Sequence, residues 1–135
     1  MRNFLFICVL SVTISACTTL TSIREDLDNT VIAYNDLLRR GEFNIAKNFV
    51  DQSQREDFEA RAKTAKDVKI VDYRIVNADF EAARGEQIVE VEFEYYISPV
   101  YMVKTLIDKQ KWSYVSIEKE KKKRWRLITT LPEFK

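Results

Sequence analysis

The stretch Ile88-Val89-Glu90-Val91-Glu92-Phe93-Glu94-Tyr95-Tyr96-Ile97 repeats with a period of two. Val89, Val91, Phe93, Tyr95 and Ile97 share one face of an extended chain, and Glu90, Glu92, Glu94 and Tyr96 share the other. A strand with one apolar and one charged face is half-buried and belongs to an antiparallel sheet with one wet side. Upstream, Val68 to Phe80 also reads as a strand, but its apolar parity slips. Val68 and Ile70 fall on one parity and Val71, Tyr73 and Ile75 on the other, which predicts a bulge or bend near Ile70. Ala83 to Glu86, with Gly85, supplies the turn between the two strands. Downstream, Ser98-Pro99 interrupts the chain. A third strand is predicted from about Leu106 to Glu118, a charged turn over Lys119 to Lys123, and a last strand over Arg124 to Leu131.

The period before Val68 is that of a helix. Ile23, Leu27, Val31, Tyr34 and Leu38 recur on one face, with Leu37 beside them. Ser22 followed by Glu25 makes a capping box, and Gly41 is the natural residue just past the end. A short helix over Phe43 to Phe49 is predicted next. Ser53 with Glu56 makes a second capping box, opening a helix to about Lys66 that turns Phe58, Ala62 and Ala65 inward. Three helices followed by four meandering strands is an α+β layout, with the helices packed on one face of a curved sheet.

Composition agrees with one packed domain. The chain is 46% hydrophobic and 12% aromatic with only two Gly and two Pro, which is ample for a core and unlike a disordered segment. Its formal charge of +1 gives no reason to expect nucleic acid as a partner.

The N-terminus carries a different signal. Arg2 and Asn3 precede an apolar run from Phe4 to Ile14, broken only by Ser11 and Thr13, and Ser15 and Ala16 follow. The run falls well short of the roughly 20 residues a spanning helix needs, so it reads as a signal peptide. Ile14-Ser15-Ala16-Cys17 resembles the lipobox of bacterial lipoproteins. The resemblance implies cleavage before Cys17 and a diacylglycerol on its thiol. Residues 1–16 are then a leader, 17–21 a lipidated cysteine with a short tether, and 22–135 a single α+β domain. Cys8 is discarded with the leader and Arg2 with it, so the charge falls from +1 to zero and no thiol remains. Two or three acyl chains, at about 0.8 kcal/mol per buried CH₂, hold firmly where one would exchange. Thr18 stands where an Asp would favour inner-membrane retention in Gram-negative lipoproteins. The resemblance therefore implies the periplasmic side of the outer membrane, or the outer leaflet of the inner membrane where sorting rules differ. Thr18 to Thr21 span about 13–14 Å even fully extended, which keeps the domain at the bilayer.

The order of elements is similar to the nuclear transport factor 2-like, cystatin-like group of small cone-shaped α+β domains. Arg40-Gly41-Glu42-Phe43 with Ala46, Lys111-Trp112 and Arg124-Trp125-Arg126-Leu127 carry the local likeness to secreted bacterial members. That resemblance places Tyr34, Tyr73, Phe93, Tyr95 and Trp112 as candidate lining of a cone for a small apolar ligand. It also brings in an alternative, since the fold family includes enzymes working with Asp, Tyr or His. This chain has no His, and Asp72 and Asp79 are the acids that could face a cavity, but exposed strand positions account for these acids and core positions for the tyrosines.

No metal-ligand or cofactor motif is present. Glu90, Glu92 and Glu94 lie about 7 Å apart along one strand face, where a weak cation site competes with cross-strand pairing to Lys109, Lys111, Lys119 or Arg126. The run Lys119 to Arg124 suits a solvated turn, or a bilayer contact worth about 1 kcal/mol per basic residue. Val100, Tyr101, Met102 and Val103 are apolar where a plain loop would be polar, so they either cover the core or form a partner surface, a homodimer included. The expectation is a membrane-anchored, non-enzymatic binding or accessory module for an envelope protein or small apolar ligand. A small cone-fold enzyme, a lipid-binding carrier and a structural subunit of an envelope assembly are the alternatives.

Overall fold

Helix α1 (Ser15–Arg39) carries Leu27, Val31, Tyr34 and Leu38 at helical spacing, and all four are fully buried against the sheet. The computed structural model describes residues 15–81, 85–117 and 119–135. Residues 1–14 of the leader, Ile14 included, therefore lie outside the described residues, as do Ala83 and Arg84 of the first expected strand turn. The helix already includes Ser15, so Ser22 lies inside it and the expected capping box is not its beginning. No Gly or Pro interrupts Ser15 to Arg40, and nothing in that span stops the helix propagating backwards. As a helix, the tether from Cys17 to Thr21 rises only about 6 Å.

Gly41 ends α1 as its position suggests. Its φ is +73°, its N–H donates to Leu38 O at 3.0 Å, and Glu42 N–H donates to Leu37 O at 2.9 Å. These two bonds form a Schellman closure, which needs a left-handed residue at that point. Helix α2 (Phe43–Ala46) continues as a 3₁₀ turn over Lys47–Phe49. Helix α3 (Arg55–Thr64) is preceded by another over Gln52–Gln54. The second capping box is also replaced. Asp51 accepts from Ser53 N at 3.0 Å and from Ser53 Oγ at 2.5 Å, so the cap lies before Ser53 rather than on it.

Four strands follow, β1 (Val68–Glu81), β2 (Glu86–Ile97), β3 (Val100–Ile117) and β4 (Glu120–Leu127). They form one antiparallel meander in the order β1-β2-β3-β4, open rather than closed. Register shifts between Ile70 and Asp72 and between Ile75 and Asn77 put bulges at Val71 and Val76. The first is the expected slip, and the second is new. In β2, Val89, Val91, Phe93 and Tyr95 are buried while Glu90, Glu92 and Glu94 stay accessible.

Two expected boundaries move. β3 starts at Val100, well before Leu106, because Ser98-Pro99 is itself the hairpin turn and Ile97 pairs directly with Val100. β4 starts at Glu120, so most of the charged run is edge strand rather than turn, a place where basic side chains discourage unwanted pairing. Past Leu127 the chain leaves the sheet and crosses its inner face. Leu131 is fully buried there, and the Phe134 ring lies 4.9 Å from Tyr95 and 6.1 Å from Phe93. Arg61 of α3 holds this tail by donating to Leu131 O at 2.9 Å.

Candidate functional site

The helices meet the sheet through a set of rings. Tyr34, Phe93 and Trp112 are fully buried and Tyr95 nearly so. Tyr34 packs edge-on to Trp112 at 5.4 Å and to Phe49 at 6.2 Å, both favourable aromatic geometries. Tyr73 is half-buried and reaches α1, donating to Asp36 Oδ1 at 3.0 Å and Ile32 O at 3.3 Å. Burial and the Asp36 carboxylate push its phenol up to about 12. The five aromatic residues expected to line a cone thus fill much of the interior with one another and with Phe134.

A buried polar cluster lies beside them. On β3, Leu106, Asp108, Gln110, Trp112 and Tyr114 point inward by strand parity, which carries Asp108 and Gln110 into the core. Asn35 of α1 meets Gln110 with two amide hydrogen bonds, at 2.8 and 3.2 Å, and Gln110 Nε2 donates to Asp108 Oδ2 at 3.1 Å. Burial pushes the Asp108 carboxyl up to about 6, and the Gln110 bond and the Arg61 charge only partly offset this. Tyr34, raised well above its ordinary value by burial and by Asp108, has a hydroxyl without a hydrogen-bond partner among the described residues. The sequence reading missed this cluster. The signal available was the alternation from Leu106 to Tyr114, masked by the habit of placing charged strand residues outside.

The acids singled out from sequence are elsewhere. Asp72 is exposed and lies 3.9 Å from Arg39, and Asp79 is exposed on β1. Glu90 pairs with Lys109 at 3.3 Å and Glu92 with Arg74 at 2.8 Å, so cross-strand pairing occupies two of the three glutamates of that row.

Two surface features remain. The first is the β2–β3 hairpin. Val100, Tyr101, Met102 and Val103 are 61%, 77%, 60% and 56% exposed, so they do not cover the core. Ile97 pairs with Val100 and Tyr95 with Lys104, which leaves Tyr101 to Val103 bulged opposite Tyr96 alone. Tyr101 leans on Tyr96 with ring centroids 5.3 Å apart. β4 pairs with β3 only from Trp112 onward, so among the described residues the neighbouring edge of β3 has no strand beside it.

The second is a groove of about 480 Å³ between α1 and β4, walled by Asp26, Thr30, Asn48 and Phe49 and by Lys122 to Arg126. Arg126 donates to Asn48 O, and burial together with Arg55 and Arg124 depresses its guanidinium. Smaller clefts at Phe43–Lys63 and beneath the C-terminal tail hold no comparable charge cluster.

Comparison with protein-family models, with curated proteins and with solved structures gives no match. The site's own geometry therefore carries the functional reading.

Proposed function

We propose that this chain is a lipid-anchored, periplasm-facing lipoprotein whose α+β domain is a non-enzymatic binding module for an envelope protein. The carrying observation is the contrast between a ring-filled interior and four exposed apolar residues at one hairpin. A packed interior favours a protein partner over a small ligand held in a cone. The element order, three helices and then a meander of four strands, supports the nuclear transport factor 2-like reading of the fold. Thr18 supports the outer membrane as address.

The direction of the chain favours a partner over the bilayer at this hairpin. Trp125 Nε1 donates to Ile23 O at 3.1 Å, so the anchored end of α1 lies beside β4 and Tyr114, its pair on β3. From Tyr114 to Tyr101 β3 runs for about 40 Å at roughly 3.3 Å per residue. An anchor at Cys17 holds the first end at the membrane and leaves the hairpin facing outward.

The test is partner recovery by cross-linking of the tagged full chain in native membranes. Tyr101→Ala with Met102→Ala should lower recovery about tenfold or more, since aromatic anchors dominate interface energetics. Asp72→Asn and Asp79→Asn should leave it unchanged. Normal recovery with the folded hairpin variant, or loss with either Asp variant, would overturn the reading.

A second reading has one observation in its favour. Asp108 is a buried carboxyl poised near neutrality, as a general acid or base must be. It supports the small-enzyme alternative.

A further inference from the structure

The groove between α1 and β4 gathers basic side chains from a strand that the hairpin reading does not use. Lys122, Lys123, Arg124 and Arg126 line it from β4, and Phe49 adds an apolar side chain to the lining. Arg124 is paired with Glu120 at 2.6 Å. Among the described residues, Lys122 and Lys123 have no carboxylate within ion-pair distance. Arg126 is partly buried beside two further guanidinium groups, those of Arg55 and Arg124, with Asp51 and Glu120 as partial counter-charges. Among the described residues, the basic groups gathered here outnumber the acids beside them. Such an arrangement favours an incoming anion, because the ligand relieves repulsion already present.

The place of the groove says which anion. Asp26 belongs to the same helix as Cys17, about 13 Å further along its axis. Lys122 and Lys123 come before Trp125 on β4, toward the β3–β4 turn, and the Trp125 indole is bonded to Ile23 near the start of that helix. Among the surface features described, this one therefore lies nearest the membrane-held end, opposite the apolar hairpin. We infer that it is a binding site for the phosphate headgroup of an anionic phospholipid, with Lys122, Lys123 and Arg126 facing the phosphodiester and Phe49 beside the glycerol. Asp26, on the opposite wall, is placed to accept from a headgroup hydroxyl and disfavours a free dianion. The inference rests on the anchor reading for the position of the groove, and not for its charge.

The full chain carrying Cys17→Ser separates the two, because its binding to vesicles owes nothing to acylation. It is mixed with phosphatidylethanolamine vesicles, with and without phosphatidylglycerol, and bound protein is measured by sedimentation. Phosphatidylglycerol should raise binding above the phosphatidylethanolamine baseline, and Lys122→Gln with Lys123→Gln should lower that increment about 30-fold. Lys63→Gln with Lys66→Gln removes equal charge from exposed positions elsewhere and should change it little. Inorganic phosphate matched to the accessible lipid phosphate should not displace the protein. An equal loss in both double variants would show net charge and no site. Displacement by phosphate would show a free-anion site, and binding indifferent to phosphatidylglycerol would remove the proposal altogether. Failure of the anchor would show instead in membrane fractionation of the unaltered chain, whatever the vesicles report.

Discussion

Phe93→Ala should lower the unfolding free energy by about 3–5 kcal/mol, read from a urea titration. Phe93 has no exposed surface and lies opposite Tyr73 on one side and Leu106 on the other. Its ring contacts Tyr73 at 6.2 Å and Phe134 at 6.1 Å, so truncation opens a hole that strand, helix-side tyrosine and tail would all have to collapse into. Glu92, the next residue, points the other way. Its partner Arg74 is largely exposed, so Glu92→Ala should cost no more than about 1 kcal/mol. Similar losses at both positions would mean that β2 has no buried and wet faces to distinguish.

Asp108→Asn should stabilise the protein at neutral and alkaline pH by up to about 3 kcal/mol and do little in acid. Burial raises this carboxyl from 3.8 in the unfolded chain to about 6 in the fold. Below the lower value both states hold the proton and the fold bears no charge penalty. As pH rises through the upper value the folded state must ionise a group withdrawn from water, and that stability is lost. Asparagine keeps an oxygen to accept from Gln110 Nε2, yet has nothing to ionise. The wild-type chain should therefore lose stability relative to the variant between about pH 4 and pH 7, and parallel pH profiles would contradict the assignment. The same variant also judges the enzyme alternative. If it is folded and more stable but reproduces the deletion phenotype, Asp108 is chemical rather than structural.

The parts of the fold that could be read in advance were those with an uninterrupted period. Ile88 to Ile97 alternates cleanly because one side of β2 lies in the core and the other meets water. The bulge near Ile70 was visible because a slip of one residue must flip the apolar parity. Gly41 was visible because the turn needs a positive φ. The helix start was not, since Ser22 is a good cap only where the chain before it is not already helical. The early start of β3 was hidden by Pro99, which reads as an interruption when it is the turn itself. Val100 to Val103 then continue with strong strand formers.

The candidate site was legible in its apolar part and illegible in its polar one. A hydrophobic run after a proline stands out in any sequence. Asp108, Asn35 and Gln110 do not, because each is ordinary locally, and only the packing of α1 on β3 turns them toward one another. The groove likewise depends on β4 lying alongside α1, with residues nearly a hundred positions apart in its two walls.

Membrane fractionation of the Cys17→Ser chain tests the proposed anchor most directly. Two or three acyl chains account for the attachment that survives a carbonate wash, so the unaltered protein should sediment with membranes and resist that wash. The serine variant should appear in the soluble fraction after that wash, with the diacylglycerol label lost from the protein band. If the variant stays with the washed membranes, or the unaltered chain never takes the label, this protein is not a lipoprotein and its address must be sought elsewhere in the chain.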